Sequence, residues 1–136
     1  LDTGFRVLKL ADSNMLDVYY SPAEVVQQDL FVQADNIKSD RTPEDLLFQV
    51  MLELGVLLDS KIDVQQVASK QIYNVADGFL IACFDKGVTD EVITAIAKQH
   101  PQYAVLRDSS YADDSTATNF EQLFKTYSPS TTIKTL

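Results

Sequence analysis

The sequence predicts an α/β fold: a single domain on a mixed sheet, with a parallel strand-helix-strand-helix-strand portion towards its C-terminal end and one antiparallel hairpin. Three observations carry this. From Phe79 onward, short apolar runs alternate with amphipathic stretches, the pattern of parallel strands joined by right-handed crossovers. Asp77-Gly78 separates two apolar runs, and Asp-Gly is a preferred pair for a type I′ hairpin turn. Between Thr42 and Gly55 lies a strongly apolar segment with a start signal and a stop signal. The 136 residues, 46% hydrophobic and 23% charged, suit one hydrophobic core without disulfide or metal staples.

Taken in order, residues 4–10 (Gly-Phe-Arg-Val-Leu-Lys-Leu) alternate partly and read as a strand, followed by turn-forming Asp12-Ser13-Asn14. Ser21, Pro22 and Glu24 open a predicted helix over residues 22–33, which presents Val25, Val26, Phe31 and Val32. Residues 35–41 form a polar connector. The clearest helix follows. Thr42 caps it, Pro43 takes its first position, Glu44 and Asp45 favour its positive end, and Gly55 stops it. Leu46, Leu47, Phe48, Val50, Met51, Leu52 and Leu54 cover more than half its circumference, so it is expected to be buried on more than one side. In that reading the helix after Pro22 covers Phe48 and Leu52. Strands are predicted over residues 61–68, 71–76 and 79–84. A helix over 89–99 buries Val92, Ile93, Ile96 and Ala97. A strand over 103–107, a helix over 114–127 capped by Asp113 or Asp114, and a strand over 131–136 complete the order.

Charge narrows the partners. Twenty acidic residues against 11 basic ones leave a net charge of -9. The lysines and arginines are scattered, whereas nucleic acid binding draws on a basic face that neutralises phosphates. No apolar run approaches the ~20 residues of a membrane-spanning helix. A lone cysteine, Cys83, closes no disulfide within one chain, which points to a reducing cytoplasm. The start at Leu1 suggests a piece of a longer chain.

Catalytic signals are few. The four glycines stand too far apart for a phosphate-binding loop, and one His with one Cys makes no structural zinc site. Cys83 and His100 are the only candidates for a thiol–imidazole pair. Cys83 sits in an apolar strand, where cysteine behaves as a small hydrophobe, and His100 suits a helix C-terminus. Asp85 and Asp108 each follow a strand and precede a helix, which places them at the carboxyl edge of the sheet where α/β proteins bind ligands. Two carboxylates there, with Ser109 or Ser110 assisting, could hold Mg²⁺ in a small self-contained enzyme. Their commoner role is to hydrogen-bond loop amides, and they are expected to be structural. On residue chemistry alone the chain reads as an interaction or assembly module, with no catalytic, cofactor-binding or metal residue assigned.

Several blocks carry a further signal. These are Thr3-Gly4-Phe5-Arg6-Val7-Leu8-Lys9-Leu10-Ala11-Asp12-Ser13-Asn14; Asn36-Ile37-Lys38-Ser39-Asp40-Arg41-Thr42-Pro43-Glu44-Asp45-Leu46-Leu47-Phe48-Gln49-Val50-Met51; Leu80-Ile81-Ala82-Cys83-Phe84-Asp85; Val105-Leu106-Arg107-Asp108-Ser109-Ser110; and Asn119-Phe120-Glu121-Gln122-Leu123-Phe124-Lys125. Together they resemble, in order and over nearly the whole chain, the C-terminal region of the modification (Mod) subunit of type III restriction-modification systems. The resemblance implies a parent protein that methylates adenine N6 in DNA from S-adenosylmethionine. Such subunits pair with each other and join a helicase-nuclease restriction subunit. The family's Asp-Pro-Pro-Tyr and glycine-containing cofactor motifs have no counterpart here, since no two prolines are adjacent and no Gly-x-Gly occurs. What the resemblance implies for this chain is therefore a noncatalytic C-terminal assembly domain without a cofactor of its own, contacting DNA only through the parent.

Overall fold

The computed structural model describes residues 3–17, 36–108 and 111–136. By their internal contacts the chain divides into two compact units, Leu1–Ser60 and Lys61–Leu136. The predicted helix over residues 22–33 lies outside the described residues.

The second unit holds the α/β architecture. Strands β1 (Ile62–Val67), β2 (Lys70–Val75), β3 (Leu80–Cys83), β4 (Tyr103–Leu106) and β5 (Thr132–Thr135) form one sheet in the order β1-β2-β3-β4-β5. Pairing is antiparallel from β1 to β3 and parallel from β3 to β5. Helices α2 (Asp90–Ala97) and α3 (Asp114–Tyr127) connect the parallel strands and pack against each other. Two crossovers stepping the same way across a sheet put both helices on one face. That face is the core. Ile72, Ile81, Cys83, Ala104 and Leu106 of the strands close against Val92, Ile93, Ile96, Ala97, Phe120 and Phe124 of the helices. Each such Ile, Leu or Phe contributes about 1.5–3 kcal/mol by leaving water. The rings of Phe120 and Phe124 meet edge to face, centroids 5.3 Å apart. On the opposite face Tyr73, Val75, Leu80, Ala82, Phe84 and Val105 are also buried. This explains why β3 reads as a continuous apolar run.

Local chemistry sets the helix ends. Asp113 caps α3, its Oδ1 accepting the Thr116 amide at 2.7 Å. Those contacts hold the Asp113 carboxyl below its ordinary pKa. Thr89 stands at the N-cap of α2 but makes no side-chain cap bond, leaving Asp90 and Glu91 to meet the dipole.

One hairpin is expected from sequence; the sheet contains two. Asp77 and Gly78, at φ 52° and 92°, both take the positive values a type I′ turn requires. The Phe79 amide closes that turn on the Ala76 carbonyl at 3.3 Å. The other hairpin has a two-residue loop, Ala68-Ser69, between the paired residues Val67 and Lys70. Its φ values of 47° and 66° are also positive, without a glycine or asparagine to favour them.

In the first unit, α1 (Pro43–Glu53) starts on a capping box. Thr42 Oγ1 accepts the Asp45 amide at 3.3 Å, and Asp45 Oδ2 accepts the Thr42 amide at 2.8 Å. Its end is a Schellman motif: Val56 N donates to Met51 O at 2.8 Å and Gly55 N to Leu52 O at 3.2 Å. Gly55 supplies the left-handed residue at φ 71°. Two expectations fail here. The buried residues Leu46, Leu47, Val50 and Met51 occupy one arc of about 140°, while Leu52 is 62% exposed and Phe48 half-buried. The helix therefore buries one side only, and Leu52 is not covered. Residues 4–10 form no strand either. Phe5, Val7 and Leu10 are 88%, 75% and 102% exposed, so no sheet face gains from their alternation.

Candidate functional site

The carboxyl edge of β3 and β4 is the ligand-binding position expected of this fold. The register pairs Cys83 with Leu106, and two residues beyond each stand Asp85 and Asp108. Asp85 Oδ2 accepts the backbone amide of Gln71 at 2.8 Å, so the side chain ties the loop after β3 to β2. Lys70 Nζ donates to the Lys86 carbonyl at 2.6 Å, and a Cβ at Gly87 would meet that ammonium at 3.4 Å. Asp108 is exposed, and its amide donates to the Leu136 carbonyl at 2.9 Å. Nearby, Tyr111 bridges to Val88. Burial, aided by the Asp108 and Glu121 charges, pushes its phenol up to about 12. Among the described residues no group of three or more His, Cys, Asp or Glu side chains is placed to share a metal ion. Ser109 and Ser110 lie outside the described residues. Asp85 thus performs the loop-holding role that Asp commonly takes at strand ends.

Cys83 and His100 are held apart by topology. Cys83 ends β3, whereas His100 precedes β4, its parallel neighbour. At 3.3 Å per residue, the four-residue strands alone separate them by roughly 10 Å along the sheet. Burial pushes the Cys83 thiol up to about 11, against the opposing pull of the Asp85 backbone hydrogen bond. A thiol so protonated and enclosed is a poor nucleophile. His100 is exposed at φ 50°, just past the end of α2.

The first unit carries the feature that residue-type reasoning did not foresee. A groove of about 410 Å³ is lined by residues 8–14 and by the exposed side of α1. Leu8, Leu10, Phe48, Leu52 and Leu58 supply its apolar lining, and Asp12, Asp45 and Gln49 polar points. Hydrogen bonds hold the walls together. Asn14, only 9% exposed, donates from Nδ2 to the Asp45 carbonyl at 2.9 Å, and its amide donates to Gln49 Oε1 at 3.2 Å. An antiparallel bridge pairs Met15 with Ile37. Arg6 Nη1 donates to the carbonyls of Leu58 and Ser60, each at 2.7 Å. These bonds fix the segment while Phe5, Val7, Leu10, Leu52 and Leu57 face solvent. The signal available in sequence was the surplus of apolar residues on α1, more than one buried arc can absorb.

Neither a protein-family model nor a curated protein matches the chain.

Proposed function

We propose that this chain is a noncatalytic C-terminal assembly domain of the modification subunit of a type III restriction-modification system. The observation that carries the assembly role is the exposed apolar surface of the first unit, where Phe5, Val7, Leu10, Leu52 and Leu57 are all more than half exposed. Apolar surface of this kind, walled by fixed backbone, is what a protein partner covers. The family assignment draws on the sequence blocks alone. In this reading the parent methylates adenine N6 from S-adenosylmethionine in the cytoplasm, and this domain holds the rest of the Mod chain, a second Mod subunit or the restriction subunit. DNA is met through the parent, since the chain's -9 charge opposes phosphate binding. Among the described residues no helix is long and apolar enough to cross a membrane.

Co-purification tests the proposal: the tagged chain is mixed with separately expressed restriction subunit and with the remaining Mod chain. Stable capture of either is expected. Capture of neither refutes it, and so does stoichiometric S-adenosylmethionine binding by the chain alone.

A further inference from the structure

We propose that the groove of the first unit receives an amphipathic helix with a basic polar face, presented by a protein partner. The inference rests on the assembly reading and names the chemistry that the partner must bring.

Shape favours a helix. Asp45, Phe48, Gln49 and Leu52 lie along about two turns of α1, roughly 11 Å. Phe48 and Leu52, four residues apart, make a ridge on its exposed side. A second helix laid against such a ridge seats its own apolar residues at i, i+3, i+4 and i+7. Leu8, Leu10 and Leu58 add further apolar lining.

Charge selects the polar face. The first unit holds eleven Asp and Glu against four Lys and Arg, which gives it -7 of the chain's -9. Of those four cations, Arg6 is engaged with the Leu58 and Ser60 carbonyls and Arg41 contacts Asp40. Among the described residues, Asp12 and Asp45 line the groove itself, with one lysine, Lys9. Hydrogen bonds from Thr42 hold the Asp45 carboxyl below its ordinary pKa, so it stays ionised. A second copy of this chain would bring a unit of the same sign, which costs association energy. A basic helix brings apolar complement and opposite charge together.

The test uses the full chain and two labelled helical peptides, read by fluorescence anisotropy. One carries leucines at i, i+3, i+4 and i+7 with lysines opposite; in its twin every lysine is glutamate. The lysine peptide should bind at micromolar concentration, and the glutamate twin at least about tenfold more weakly. Leu52→Ala should weaken the lysine peptide about tenfold, while Val64→Ala, at an exposed position of the second unit, should leave it unchanged. Leu52 is exposed, so the variant keeps its fold, which circular dichroism verifies. Equal affinity for both peptides, indifference to Leu52→Ala, or no binding at millimolar peptide overturns the proposal. So does a dimer in light scattering that Leu52→Ala dissociates, since the occupant is then a second copy. Co-purification separates the two readings. Capture of the restriction subunit or Mod chain that ignores Leu52→Ala removes the groove and keeps the assembly role. Selective peptide binding without capture of either removes the family assignment and keeps the groove.

Discussion

Replacing Ala68-Ser69 with Asn-Gly should stabilise the protein. Both residues hold positive φ, 47° and 66°, and an L-residue with a Cβ pays about 1–2 kcal/mol in the left-handed region. Glycine gives back about 0.4–1 kcal/mol through the greater freedom of its unfolded chain. Asparagine tolerates the conformation through its short polar side chain. The net gain for the pair is about 1–2 kcal/mol. Both positions are exposed at the tip of the β1–β2 hairpin, so no packing change enters the balance. Thermal unfolding followed by circular dichroism should show Tm raised by about 4–10 °C, and urea titration a higher midpoint at unchanged slope. The converse belongs to the same experiment. Gly78, at φ 92°, has open space where a Cβ would stand, so Gly78→Ala tests backbone conformation without a clash and should cost about 1 kcal/mol. A double variant that melts at or below the parent, or a Gly78→Ala variant that costs nothing, refutes the reasoning.

Phe48→Ala should cost only about 1–2 kcal/mol, since the ring is half-buried, whereas Phe124→Ala in the core should cost about 3–5 kcal/mol; equal losses in urea titration contradict the burial of α1. Cys83 should resist a thiol reagent in the native protein at pH 8 and react fully in urea. Its pKa rises from an ordinary 9.0 to about 11 on folding, so its contribution to stability is complete below pH 9.0 and declines towards pH 11. A midpoint that rises across that window is incompatible with this sign. Asp85→Ala should cost about 1 kcal/mol through loss of the Gln71 amide bond, with millimolar Mg²⁺ leaving Tm unchanged. A Mg²⁺-dependent rise that disappears on replacing Asp85 and Asp108 together would favour the metal-dependent enzyme instead. Thr42→Ala should remove the capping box of α1 at a cost of about 1 kcal/mol, measurable by the same titration.

What was legible in the sequence had local causes. Thr42, Asp45 and Gly55 bound α1 through hydrogen bonds among near neighbours. Asp77-Gly78 dictates its turn because few other pairs accept positive φ twice. The strand-helix-strand order after Phe79 follows from periodicity. The β1–β2 hairpin was harder to read because Ala68-Ser69 carries no turn preference; pairing along six residues imposes the conformation against it. Residues 4–10 show the opposite failure. Their alternation is real, but a strand exists only where another strand accepts its hydrogen bonds, and alternation does not name that partner. Asp85 and Asp108 were placed correctly at the sheet edge, because strand ends fix that position. The groove was not foreseen, since it depends on Asn14 reaching α1 across 31 residues of sequence.

The neighbour order of the sheet bears on how the second unit is made. Each strand pairs with the one just before it in the chain, from β1 through β5. No strand has to slip between two already joined, and each loop closure spans one hairpin or one helix. Short closures cost little entropy, and topologies built from them fold quickly for their size. The two hairpins, needing the shortest closures, offer a first template on which β4 and then β5 dock. A chain emerging vectorially from the ribosome can therefore lay down its sheet in the order of synthesis, and the growing edge at each stage is the one the next strand occupies.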